Sequence, residues 1–498
     1  MSQKNHSFLK LSFLIPLLVI VLLSATRSLA QENRKTKEQQ EFDKFQQEIT
    51  KGYSQFSQRN DSLFLSFLNK SWKEFALHEE QAKRRPKPID QPSVKIKPDS
   101  AQGAPSKQMI EIIDAEKNDD PQESDPLQLD DESNLAPDNP GTTSTMEFFG
   151  HPIPLSKVSG SLSLPSISTA NIIEFYEKYL QNKELIANAN ELIREGKELR
   201  LNDWGVVQLM MIASEYYFST TNNRVLFTWI TLLRNGYDVK IGYDRKQIFL
   251  LANLTCKIFS NPYIELNSQR FYIIPLPGQD APTEGITSFE ATYPGNTRLL
   301  SLRLTELPAL TEYPTTRTLI YQGDALQVQL SKSLIQFLHS YPTCELMIYF
   351  NTPLSEKAMQ SLDKRLLPLL EGKTEQEQVN LLLEFVQRAF PYKTDDQQFG
   401  EERYLFGDES LYFPFTDCED RAVIFVKLIK RYTGLKAIGL DYPDHVSTAI
   451  RFSIQIPGDF LIFEGDNYFI CDPTYIGAKP GMAMEGMQHI NPIIIACE

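Results

Sequence analysis

Residues 86–145 are the part of this chain that cannot pack, and everything that folds must lie on either side of them. Pro86, Pro88, Pro92, Pro98 and Pro105 stiffen the first half of the stretch. Between Glu111 and Glu132 ten Asp or Glu stand against the single Lys117. Such a segment buries too little apolar surface to offset the entropy of ordering it, which predicts a disordered linker. Its acid run reads as a solvated spacer; a calcium or basic-partner role is the alternative.

Ahead of the linker, residues 1–30 have the pattern of a signal peptide. Lys4 and Lys10 precede an apolar run from Phe13 to Leu23, and Ser28-Leu29-Ala30 resembles a cleavage site. The run is shorter than a bilayer span, so the expectation is an exported chain, periplasmic or secreted, with no transmembrane span in its mature part. No cysteine adjoins the cleavage point, which argues against a lipid anchor there. Residues 31–85 read as an amphipathic helical arm. Phe42, Phe45, Ile49, Tyr53 and Phe56 recur at helical steps, and Phe64, Phe67, Trp72 and Phe75 continue them after Asn60-Asp61. The arm either binds a protein partner or lies on its own domain.

Behind the linker the chain is long enough for more than one core: 498 residues in all, 41% hydrophobic. A formal net charge of -14 leaves no basic surplus for phosphates, which excludes nucleic acid as the expected partner. The five cysteines, at 256, 344, 418, 471 and 497, cannot all pair. Cys256 and Cys344 sit in apolar strands and read as core. There is neither C-x-x-C nor H-x-x-x-H, so no metal and no cofactor is expected.

The folded part contains signs of a repeat. Met146-Glu147-Phe148-Phe149 and Met347-Ile348-Tyr349-Phe350 each precede a Pro-Leu-Ser, at Pro154 and Pro353. Val225-Leu226-Phe227 matches Val423-Ile424-Phe425, with Gly236 and Gly434 as helix stops, and strands follow in near register. This register puts Thr220 where Cys418 stands, Ile248 near His445, and Ile273-Ile274-Pro275 near Ile470-Cys471-Asp472. The expected division is a unit without chemistry over 146–280, a bridging segment over 281–343, and a catalytic unit over 344–498. In the bridge, Leu300–Leu304 and Leu326–Leu330 read as strands.

The chemistry concentrates in the last unit. In Phe415-Thr416-Asp417-Cys418-Glu419-Asp420-Arg421-Ala422, Asp417 is a good N-cap and Asp420 can complete a capping box. Cys418 therefore falls in the first turn of a helix, where the dipole favours thiolate. Asp417, Glu419 and Asp420 oppose that unless they point away, and Arg421 offsets part of their charge. His445 and Asp472 follow on strand-like segments. Cysteine on a helix start with histidine and aspartate on successive strands is an arrangement for thiol acyl transfer. Each also has a plainer reading: a core cysteine, a strand histidine, and an aspartate capping the Pro473-Thr474 turn.

Taken together, Asp417-Cys418-Glu419-Asp420, His445 after Gly-Leu-Asp-Tyr, and Asp472-Pro473 resemble the transglutaminase-like superfamily, closest to its exported bacterial members. The resemblance covers about Met347 to Met487. It implies a papain-related α+β fold with the nucleophile helix on an antiparallel sheet. It implies Cys418 as nucleophile, His445 as base and acid, and Asp472 as orienter. The backbone amide of Cys418 would face the oxyanion, with Tyr412, in the loop entering the helix, as second donor. The implied activity is hydrolysis of an amide in a peptide or cell-wall-derived substrate through a thioester. Protein cross-linking by the same triad and a non-enzymatic binding module are the alternatives.

Overall fold

The structure, a computed structural model, describes residues 44, 58–69, 72–82, 91–94, 143–160 and 162–497. The signal-peptide reading, most of the arm and most of the linker lie outside the described residues. Residues 58–68 are helical, as the arm's periodicity predicts. Trp72 and Phe75 are not a continuation of that helix. Trp72–Phe75 is a strand, β1, paired antiparallel with β8, Ile286–Phe289. The aromatic stripe that suggested a helix is also what a strand uses to cover a sheet: Trp72 lies edge-on to Phe289, centroids 4.9 Å apart.

The architecture is α+β, and its organising feature is two antiparallel sheets of the same connectivity. The first comprises β1, β4 (Val239–Tyr243), β5 (Ile248–Asn253), β6 (Tyr263–Leu266), β7 (Gln269–Ile274) and β8, in the order β1-β8-β4-β5-β7-β6. The second comprises β11 (Lys436–Asp441), β12 (Val446–Arg451), β13 (Phe460–Phe463), β14 (Asp466–Cys471) and β15 (Ile493–Ala496), in the order β15-β11-β12-β14-β13. Strand for strand the second repeats the first without β1. Between them in sequence run β9 (Pro314–Tyr321) and β10 (Asp324–Ser331), a separate hairpin; β2 (Thr143–Phe148) and β3 (His151–Ser156) form another.

The helices repeat as well. Thr221–Arg234 packs on β4 and β5, and Cys418–Tyr432 packs on β11 and β12. Each is backed by an earlier helix, Asp203–Tyr217 in one unit and Glu375–Ala389 in the other. Both buried helices end at a left-handed glycine, Gly236 at φ 90° and Gly434 at φ 67°, a conformation that favours a residue without Cβ. The fourth residue of β4 and of β11 is also glycine in each. A Cβ on Gly439 would stand 2.8 Å from the Phe350 ring, and one on Gly242 would collide with Ile286.

The repeat is therefore real in topology, but part of its expected alignment is wrong. Met146 and Phe148 lie on β2, whereas Met347–Phe350 lie in the helix Leu346–Asn351. Short apolar quartets of similar composition have taken different secondary structure because their neighbours differ. The register shifts by one residue at two points: Thr221 opens the helix that corresponds to Cys418–Tyr432, and Gln247 precedes β5 as His445 precedes β12. At the third it is as expected, Pro275 following β7 as Asp472 follows β14. Leu300–Leu304 is not a strand; only Leu300 makes an isolated bridge, to Leu254. Residues 143–145, assigned to the linker, belong to β2.

Candidate active site at the start of the Cys418 helix

Three loop ends define the site. The helix Cys418–Tyr432 begins as its caps predict: the Asp417 amide donates to Asp420 Oδ2 at 3.3 Å. This makes Cys418 the first helical residue. His445 closes the hairpin between β11 and β12, where the Pro443-Asp444 turn is pinned by the Tyr442 amide on the His445 carbonyl, 2.8 Å. Asp472 leaves the end of β14. All three are buried, with 1%, 2% and 1% of their surface exposed for Cys418, His445 and Asp472.

The structure brings His445 and Asp472 together. His445 Nε2 stands 2.8 Å from Asp472 Oδ2, so Nε2–H donates to the carboxylate and Nδ1 is left as the other functional nitrogen. The second Asp472 oxygen, Oδ1, accepts from the amides of Thr474 at 2.9 Å and Tyr475 at 3.2 Å. One oxygen caps the turn and the other holds the imidazole. Burial pulls the His445 pKa down, but the charge and hydrogen bond of Asp472, helped by Glu419 and Asp444, outweigh it and hold the imidazole above its ordinary 6.5.

Cys418 Sγ donates to Glu419 Oε2 at 2.9 Å. Glu419 thus touches the thiol and also adds to the field on His445. Tyr412 ends the short helix Gly407–Tyr412, its ring edge-on to Phe413 at 5.3 Å and packed with the cluster of Phe399, Leu405 and Phe413.

Around the helix start lies a largely buried acidic shell drawn from residues 395–420. Asp395, Asp417 and Asp420 bring carboxylate oxygens within 4.8 Å of one another, as do Asp395, Glu402 and Glu419. Asp417, Cys418 and Glu419 form a third such group, so a cation could find ligands here. Much of this charge is met by the chain itself. Asp420 Oδ1 accepts the Leu405 amide at 2.9 Å, and Asp395 Oδ2 accepts that of Arg403 at 3.1 Å. Arg421, fully buried, donates to Thr416 Oγ1 at 3.2 Å and to the Phe390 carbonyl, and lies over the Tyr392 ring at 5.3 Å. Burial lowers its pKa to about 10 against the opposing charges of Tyr392, Asp417, Asp420 and Cys418.

Two supports were not legible beforehand. Gln387, on the buried face of the helix Glu375–Ala389, donates Nε2 to the carbonyls of Asp472 and Ala478, both at 3.1 Å, and accepts the Gly477 amide at 3.1 Å. A glutamine in register with Val379, Leu383 and Val386 was the available signal. The other support is a piece of the supposed linker. Residues 91–94 dock beside Thr474–Gly477: the Val94 amide donates to the Ile476 carbonyl at 2.9 Å, and the Ile476 amide to that of Pro92 at 2.8 Å. Gln91 Nε2 adds bonds to the Gln387 carbonyl at 3.1 Å and the Thr474 carbonyl at 3.0 Å. The four residues are therefore structured, contrary to the linker reading, because their backbone finds partners in this loop. Gln91→Ala should weaken the strap by about 1–2 kcal/mol. Amide exchange at Ile476 should then quicken by about 5- to 30-fold while the core strands keep their protection; unchanged exchange at Ile476 would show that the strap holds nothing.

Searches against protein-family models, curated proteins and solved structures return no match to this chain.

Proposed function

We propose that this chain is a thiol-dependent acyl-transfer enzyme, an amide or peptide hydrolase of transglutaminase-like kind, working through Cys418, His445 and Asp472. The observation that carries the reading is the buried 2.8 Å pair of His445 and Asp472, whose imidazole feels the charge of Glu419 from the first turn of the Cys418 helix. The Cys418 sulfur attacks the amide carbonyl, its proton having passed to His445 Nδ1. The tetrahedral oxyanion is met by the Cys418 amide. His445 then protonates the departing amine, leaving a thioester that water cleaves; an amine in place of water would make the same intermediate a cross-link. Asp472 fixes the tautomer and stabilises the imidazolium. Because Cys418 is buried, turnover requires the sulfur to be uncovered.

The burial of Cys418 and its bond to Glu419 favour a second reading, a binding module that keeps the triad without using it. Iodoacetamide distinguishes the two. In an enzyme Cys418 should label faster than Cys471 and Cys497, retain that advantage at mildly acid pH, and lose it in His445→Ala. Peptide-amide hydrolysis should vanish in Cys418→Ala. Labelling of Cys418 no faster than the other thiols, together with hydrolysis that survives Cys418→Ala, would remove the enzyme reading.

A further inference from the structure

Cys256 and Cys344 lie far apart in sequence, but the fold sets their side chains together. Cys344 forms an antiparallel bridge with Ile258, flanked by hydrogen bonds from the Phe259 amide to the Thr343 carbonyl, 2.8 Å, and from the Glu345 amide to the Lys257 carbonyl, 3.3 Å. Those two bonds make Ile258 and Cys344 a non-hydrogen-bonded pair, the kind in which side chains approach most closely. Cys256 lies in the bend two residues before Ile258, which turns it back toward Cys344. Cys256 and the Tyr349 hydroxyl both lie close enough to act on the Cys344 thiol. Both cysteines are free thiols here, Cys256 half-buried in a bend rather than in the strand expected for it, and Cys344 buried.

We propose that Cys256 and Cys344 are a disulfide-forming pair that staples the first sheet to the unit carrying the Cys418 helix. Cys256 follows β5, and Cys344 precedes the helix Leu346–Asn351, which packs against β15 and the Cys418 helix. The staple therefore joins the two repeated units where they abut. The oxidant is a small-molecule disulfide such as oxidised glutathione. Cys256, half-buried, is the thiol such a molecule can reach, and buried Cys344 acts second, on the mixed disulfide held beside it. Cys256 loses its proton, attacks one sulfur of the incoming disulfide and releases one thiolate. Cys344 gives up its proton and displaces the second thiolate from the mixed disulfide. Two protein thiols thus lose two electrons and two protons, and the incoming disulfide is reduced to two thiols. With this pair formed, Cys418, Cys471 and Cys497 stay reduced, which accounts for the odd count and leaves the candidate nucleophile available.

The test uses the folded, full chain equilibrated with oxidised glutathione, quenched with N-ethylmaleimide before denaturation, and digested without reduction. One linked peptide pair, Cys256 to Cys344, is expected, with Cys418, Cys471 and Cys497 alkylated. Because the bond closes a long loop, the oxidised protein should melt about 5 °C above the dithiothreitol-treated one. That redox-dependent difference should disappear in Cys256→Ser. Recovery of Cys256 alkylated or merely glutathionylated, or linked to any cysteine other than Cys344, would overturn the assignment. The peptide map needs no variant, so it stands even if Cys256→Ser folds poorly. Nothing in it depends on the catalytic reading.

Discussion

Arg421→Ala is expected to destabilise the protein by about 3–5 kcal/mol, a large part of what holds a domain together. The guanidinium is the fully buried cation of the acidic helix start, where Asp417 and Asp420 act on it directly. Its removal leaves carboxylates in a dry setting without their counter-charge, and also strips the Phe390 carbonyl and Thr416 hydroxyl of a donor. Urea denaturation should show the midpoint fall with the slope preserved. Arg421→Lys should recover only part of the loss, since an ammonium cannot span Thr416, Phe390 and the Tyr392 face together. A loss below about 1 kcal/mol for alanine would mean that the shell is neutral and protonated rather than ionic.

The second large effect is chemical. Asp472→Asn should lower kcat by about 10⁴-fold if the proposed hydrolysis is real, because the amide no longer selects the tautomer with Nδ1 free to act as base. A purely structural role for Asp472 would change stability without changing the titration of His445. The two are separable by measuring that titration by NMR. In the native chain the imidazole is held above 6.5 with Asp472 as the principal cause, so the folded state binds this proton more tightly than the unfolded chain does. The resulting stabilisation is complete below about pH 6.5 and fades as pH rises through the higher native value. In Asp472→Asn the native pKa should fall and this pH-dependent stability shrink. An unchanged His445 titration would show that the aspartate does not govern the imidazole.

Local signals made the helix starts and stops readable: Asp417 and Asp420 at one end of the Cys418 helix, Gly434 at the other. The same holds for the hairpin that presents His445, marked by Pro443-Asp444 between alternating apolar runs. What could not be read depended on partners distant in the chain. Trp72–Phe75 became a strand only because β8 offered an open edge. Met146–Phe148 and Met347–Phe350 look alike, yet one pairs with β3 and the other winds into a helix. The three acidic neighbours of Cys418 were legible as a charge problem, but not that Glu419 would take the thiol's proton as a hydrogen bond while Asp420 turned away to cap Leu405. Gln387 and the docked residues 91–94 had the same limitation, since service to a loop 85 or 383 positions away leaves little local trace.

The shared strand order has a kinetic consequence. In either half, a helix and the hairpin after it pair over short stretches of chain, so each can seed its own collapse without waiting for the other. Contacts that cross the halves, such as the bridge at Ile258 and Cys344, then form when two nearly finished bodies meet, and that late docking is where refolding should slow.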